Sequence, residues 1–193
     1  MRRVAQALDT GPASLYVYVA NTAELHAAVL DELLAGLPED GTGPWRTRLD
    51  VLLRGYADLL FTYPRLARSA LVLRPVGGNA LRLYDRVLGL LLEGGVPADR
   101  AAWGVDLLLL YVTSNAAEHS APAPGDIDAS ADENAKTSAL EHALRSADAE
   151  ATPHVALHVD QLLGGTPAER VAWTLQVLIT GIAATPTTVA GDS

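Results

Sequence analysis

The chain has no cysteine, a single methionine, a single phenylalanine and only 5% aromatic residues. Without a thiol there is no disulfide framework, no thiolate metal ligand and no cysteine nucleophile, a composition that suits a reducing, cytoplasmic compartment. Basic side chains are scarce as well: 14 Lys and Arg stand against 23 Asp and Glu, a formal charge of −9. That balance disfavours non-specific attachment to nucleic acid or to an anionic membrane, and it excludes a general basic DNA coat. A continuous apolar run long enough to span a membrane is also lacking. Arg2 and Arg3 lead into an amphipathic segment rather than the apolar core of a signal peptide. The longest uncharged stretch, residues 171–191, is interrupted by Thr174, Gln176, Thr180 and Pro186, and reads as a buried helix followed by a tail.

What is present is apolar and helical in rhythm. The chain has 193 residues, 49% of them hydrophobic, which is enough for one sizeable core or for a small head on a larger body. Leu, Ala, Val and Arg recur at i, i+3 and i+4 almost throughout, with little alternation of strand type, so the fold class is all-α. Asn21 or Thr22 caps a helix expected to run to about Leu37, with Leu25, Val29, Leu30, Leu33 and Leu34 on its buried side. Residues 38–44, rich in Gly and acid, form the linker. Helices are expected at 45–63, 65–71, 80–93 and 97–118, with a loop at 74–79 and breaks set by Pro64, Gly94, Gly95 and Pro97. Residues 119–133 are acidic and Pro-rich and are expected to be a mobile connection. Helices at about 134–147, 153–163 and 167–184 complete the chain, which divides into a head over 1–37, a body over 45–184 and a tail over 185–193.

The first 25 residues carry the most informative pattern. Val4, Ala5 and Leu8 lie on one face of a first helix, a turn falls at Asp9 to Gly11, and Pro12 takes the favoured first position of a short second helix. Ala-x-x-Leu before the turn, followed by Ser14-Leu-Tyr-x-x-Val-x-Asn-x-x-Glu-Leu25, resembles the tetracycline-repressor (TetR) family of bacterial one-component regulators. The resemblance implies a helix-turn-helix head whose second helix reads double-stranded operator DNA. It places the DNA contacts on Arg2, Arg3, Pro12, Ala13, Ser14, Tyr16, Val17, Tyr18 and Thr22. Members of the family have a further helix before the point that corresponds to Met1, so the head is expected to be incomplete, and loose for want of one wall. Between Met1 and Trp45 there are two basic residues, Arg2 and Arg3, against six acids, Asp9, Glu24, Asp31, Glu32, Glu39 and Asp40. Val17, Tyr18 and Thr22 stand where the family commonly has polar or basic residues. Duplex binding is therefore expected to be weak and salt-sensitive, resting on hydroxyls and helix termini.

The same resemblance implies a homodimer built by the helices at about 98–118 and 167–184. The apolar stripes Val105, Leu108, Leu109, Val112, Ala116 and Val171, Leu175, Leu178, Ile179, Ile182 supply the expected material. It also implies a small-molecule effector bound among the middle helices, with Tyr56, Leu60, Tyr63, Tyr84, Val87, Trp103, Leu107 and Tyr111, beside Leu73 and Leu83, as candidates. Tyr56, Trp103 and Tyr111 stand out because each joins a large apolar body to a polar group. A dimer of the same ancestry that binds a small molecule or partner, and no longer DNA, is the alternative. No enzyme constellation is visible: there is no Gly-rich phosphate loop, no Gly-x-Ser-x-Gly elbow and no His-Glu-x-x-His pair. His154 and His158, four apart with Asp160, form the nearest approach to a metal site and read as a solvated helix face. No cofactor is implied.

Overall fold

A computed structural model describes residues 2–7, 9–39, 41–119 and 138–187, and every regular element among them is a helix. In chain order these are α1 (Arg2–Ala7), α2 (Pro12–Leu15), α3 (Thr22–Leu34), α4 (Trp45–Thr62), α5 (Pro64–Val72), α6 (Gly78–Glu93) and α7 (Ala98–His119). There follow α8 (138–145), α9 (Pro153–Leu157), α10 (Val159–Leu163) and α11 (Pro167–Ala184). The chain forms two compact units, residues 1–120 with 178–193, and residues 121–177.

In the first unit α7 is the central element, packed against α4, α5 and α6, while α3 lies against α5 and α6. Its core is aliphatic. Leu49, Leu53 and Leu60 of α4, Val87 and Leu91 of α6, and Ala101, Leu108 and Ala116 of α7 are wholly buried. Each is separated from the next on its helix by a multiple of three to four residues, the spacing that returns a side chain to one face. Pro64 starts α5 at its first position, and Gly95, at φ +75°, ends α6 in the left-handed conformation that an L side chain rarely adopts. The Gly95 amide donates to Leu92 and the Val96 amide to Leu91, closing the orphan carbonyls of that terminus. Where α11 enters this unit, Gly104 leaves room for the Ile182 side chain, and Arg100 donates from Nη1 to the Ala183 carbonyl at 3.0 Å.

The second unit is smaller and more polar. Thr166 and Glu169 form a reciprocal cap at the start of α11: the Thr166 amide donates to Oε2 of Glu169 at 2.7 Å, and the Glu169 amide donates to the Thr166 hydroxyl at 3.2 Å. The Thr166 amide and hydroxyl hold the Glu169 carboxyl below the ordinary carboxylate range. Arg145 bridges Glu141 at 3.0 Å and reaches Asp160 at 3.5 Å.

Several expectations need correction. The helix from Asn21 ends at Leu34 instead of Leu37, and Leu37 is buried from the following turn. Val29, expected on the buried side, is 42% exposed. Residues 78 and 79 belong to α6 and not to the preceding loop, because a distant side chain caps the helix there. The segment 153–163 is two helices, broken at His158, so His154 and His158 do not share a helix face. The expected dimer stripes are mostly interior: Val105, Leu108, Leu109, Val112 and Ala116 are buried in the first unit, as are Ile179 and Ile182, and Leu175 of the second unit is buried as well. The face of α7 left outside is Trp103, Leu107 and Leu110, spaced i, i+4 and i+7, and on α11 Trp173 and Val177 are exposed. α7 is apolar on two sides, and periodicity alone does not say which side turns inward. The connection at 119–133 lies, beyond His119, outside the described residues, as do 134–137 of the expected polar helix and 188–193 of the tail.

Candidate functional site

Residues 2–7 and 9–22 form the expected helix, turn and short helix. Asp9 sits at φ +50°, its amide donating to Gln6 at 3.2 Å and the Thr10 amide to Ala5 at 2.9 Å, so α1 ends in a left-handed cap. Asp tolerates this conformation better than most side chains. α2 spans only Pro12–Leu15, and Tyr16, Val17 and Tyr18 follow as turn. The next helix is firmly started. The Asn21 side chain accepts from the Glu24 amide at 2.9 Å, while Glu24 accepts from the Ala20 amide at 2.8 Å, a two-way cap. Ala13, Ser14, Tyr16, Val17, Tyr18 and Thr22 are all exposed, with Val17 at 78% and Tyr18 at 86%. The side chains of Arg2, Arg3 and Pro12 lie outside the described residues. A contiguous exposed face of two phenols, two hydroxyls and a valine, on a capped helix entry, has donors for phosphate oxygens and an apolar group for a base edge.

A cavity of about 90 Å³ lies deeper in the first unit. Its walls come from five helices and one loop: Leu34 of α3, Tyr56 of α4, Ala70 and Leu71 of α5, Arg74 and Pro75 of the loop, Ala80, Leu83 and Tyr84 of α6, and Asp106, Leu109, Leu110 and Thr113 of α7. At the inner end the Tyr56 and Thr113 hydroxyls meet at 2.9 Å, both residues buried. Burial pushes the Tyr56 phenol above its ordinary pKa, partly countered by the Thr113 hydrogen bond, so the group is a neutral donor and acceptor. At the rim Arg74 Nη1 bridges Asp106 Oδ1 at 2.5 Å, with both side chains about half exposed. Such a pair contributes ~0–1 kcal/mol, so it opens readily. A second, more polar cavity of about 440 Å³ shares Leu34 and Leu83 with the first and adds Asn79, Arg82, Arg86, Glu39, Leu37 and Ala35.

Of the effector residues expected from sequence, Tyr56 and Tyr84, with Leu83 beside them, do line the cavity. Leu60 and Val87 are fully buried in the core and do not reach it; Tyr63, Trp103 and Leu107 point outward, at 43%, 56% and 43% exposure. Tyr111 is half-buried and outside the lining, and Leu73 is exposed. The residues not anticipated are Thr113, Arg74, Asp106 and the apolar walls of α5. Thr113 was the one with a signal, as the single hydroxyl on an otherwise aliphatic register of α7, set to leave a buried polar atom that needs a partner.

The cavity is also tied to the helix that leads from the N-terminal face. His26 Nδ1 and Ser69 Oγ lie 2.7 Å apart between α3 and α5. Burial, and then the Arg65 guanidinium, lower the pKa of His26 from its ordinary 6.5. The folded protein therefore prefers the neutral ring, so protonation favours the unfolded chain. This share of stability is complete above about pH 6.5, falls as pH drops from there to the depressed folded value, and is constant below it. Chemical denaturation between pH 8 and pH 5 should show a modest decline in the wild type that His26→Gln removes; identical pH profiles would assign no role to the ring.

Comparison with known proteins completes this picture. Residues 37–185 match the family model described as the tetracyclin repressor-like C-terminal domain. A transcription regulator of Streptomyces coelicolor, SCO7704, is 48% identical over 100% of this chain and 87% of its own, with a TM-score of 0.80. The TetR family protein ActR of the same organism, solved in complex with actinorhodin, is 32% identical over 95% of this chain and 86% of its own, with a TM-score of 0.77. BioQ, solved with its double-stranded DNA operator, shares the fold at 19% identity over 95% of this chain and 84% of its own, with a TM-score of 0.60. No curated protein matches. Two-thirds of the chain and more is thus similar, in sequence and in fold, to one family, and the chain belongs to the TetR family of transcription regulators.

Proposed function

We propose that this protein is a ligand-responsive regulator, a repressor that holds operator DNA as a homodimer and lets go when a small molecule enters the cavity beneath α3. The head comprises residues 1–37, the body 45–184 and the tail 185–193. The observation that carries the reading is the position of the cavity: Leu34, in the last turn of the helix leading from the exposed Tyr16–Tyr18 face, forms part of its wall. A molecule that enlarges this cavity must therefore move α3 or the elements opposite it. At about 90 Å³ this cavity is smaller than the ~300–1,000 Å³ of a drug-sized ligand site, while the adjoining one, at about 440 Å³, falls within that range. An effector acts by selecting a state in which this cavity is wider. The ActR complex with actinorhodin supports a small-molecule effector for this chain, whose cavity offers apolar walls, the phenols of Tyr56 and Tyr84 and the Arg74–Asp106 pair.

Contacts to DNA fall to Ser14, Tyr16, Tyr18 and Thr22, with Arg2 and Arg3, and dimerisation to the outward faces of α7 and α11. The test is fluorescence anisotropy on a duplex enriched from a random-sequence pool by the full-length protein. Binding should show a two-to-one stoichiometry and fall steeply between 50 and 200 mM salt. Actinorhodin is the first effector probe, and Ala70→Phe, which fills the cavity from α5, is expected to abolish any release while leaving duplex affinity within about threefold. Failure to enrich any duplex at low salt would sink the repressor reading and leave a small-molecule-binding dimer of the same family.

A further inference from the structure

α6 begins with Gly77 at its N-cap, a residue with no side chain to satisfy the first backbone amides. The missing acceptor comes from another helix. Asp31 of α3 accepts from the Ala80 amide at 2.8 Å through Oδ1, and from the Asn79 amide and side-chain amide, both at 3.3 Å, through Oδ2. These are the second and third residues of α6, the amides that a capping side chain normally serves from the preceding residue. The fit is tight on the loop side too, since a Cβ on Gly77 would overlap the Asp31 carboxylate. The capped turn is a shared wall: Ala80 lines the smaller cavity and Asn79 the larger one. The loop before it, with Arg74 and Pro75, lines the smaller cavity as well.

We propose that Asp31 is the residue that couples the effector cavity to α3, by capping from α3 the turn of α6 that a cavity ligand displaces. This rests on the regulator reading above. A ligand wide enough to push the Ala80 turn outward must either drag Asp31, and with it α3, or break three hydrogen bonds to a carboxylate. Either result changes the state of the helix that leads from the DNA-facing residues. Asp31 is thus a positioning residue, one that touches neither ligand nor duplex. The His26 to Ser69 contact ties α3 to α5, but it reaches a side chain and leaves no backbone amide dependent on it.

The test is a double-variant cycle read by amide hydrogen exchange on the full chain, using Asp31→Ala, Gly77→Ala and the pair combined. Each single variant removes one cap, by deletion or by steric overlap, and should speed exchange about fivefold both in the first turn of α6 and across residues 24–34 of α3. In the combined variant the overlap has vanished, so exchange should be no faster than in Asp31→Ala alone. Loosening confined to α6 with α3 unchanged, or a Gly77→Ala effect that persists in full without Asp31, would overturn the proposal. Duplex titration of the same proteins separates this from the regulator reading: the single variants should bind about fivefold more weakly than wild type and the combined one no worse. If no preparation binds duplex the regulator reading falls, while the exchange cycle still decides whether α3 and α6 are coupled through Asp31.

Discussion

Leu107→Asp is expected to turn a dimer into a monomer and, with it, to remove high-affinity operator binding. Trp103, Leu107 and Leu110 form an apolar line along α7, each between 43% and 56% exposed and Leu110 also bordering the cavity, on a helix whose opposite face, with Ala101, Leu108 and Ala116, is wholly buried. Exposed large apolar residues are ordinary when scattered, but three at i, i+4 and i+7 make a continuous stripe of the kind that a partner helix covers. A two-fold contact buries each changed residue twice, so a carboxylate placed there brings two desolvated like charges together. Truncation at a hot spot near the centre of an interface costs about 2 kcal/mol or more, about thirtyfold in affinity, and a buried unpaired charge there costs more. Analytical ultracentrifugation at micromolar protein should show the monomer, and circular dichroism should remain that of the wild type, because the residue lies outside the monomer core. The same experiment on Val51→Asp, an exposed position of α4 at 47%, is the control and should leave the dimer intact. A dimeric Leu107→Asp protein would move the interface off this face of α7.

The second large effect is expected from the hydroxyl pair at the inner end of the cavity. Thr113→Val keeps the shape of the side chain but leaves the buried Tyr56 hydroxyl without its 2.9 Å partner. An orphaned buried hydroxyl costs about 1–3 kcal/mol, whereas replacing both partners by apolar groups is close to neutral. Tyr56→Phe combined with Thr113→Val should therefore recover most of the stability lost by Thr113→Val alone. Urea denaturation of the four proteins gives the interaction free energy directly, and additive losses would mean that the two hydroxyls do not depend on each other. The double variant also asks a functional question. If an effector is oriented by this pair, the double variant regains stability but not ligand response, since it restores packing while deleting the donors.

The helices themselves were legible in the sequence because their signals are local. Pro64 at the start of α5, Gly94 and Gly95 at the end of α6, Asn21 before Glu24, and the Asp9 turn ahead of Pro12 each act through the chemistry of a few adjacent residues. The all-helical class followed from the 3.6-residue rhythm of Leu and Val, and the family from the order of small, apolar and aromatic positions over the first 25 residues. Which of two apolar faces of α7 turns inward is a different kind of question. Leu108 and Leu107 are adjacent leucines with the same intrinsic preference, and only the placement of α4, α5 and α6 makes one wholly buried and the other exposed. For the same reason Trp103, a cavity candidate by its chemistry, stands on the surface, and Thr113, a hydroxyl on an aliphatic register, lines the cavity.

By itself, then, the sequence determined the element types, most of their ends, the family and the acidic character of the chain, all of which are set by residues within a few positions of one another or by simple sums over them. Tertiary structure alone decided where the cavity lies and that Asp31 caps a helix 48 residues further on. Those features depend on distances between segments remote in sequence, fixed by how helices pack, and no local propensity encodes them.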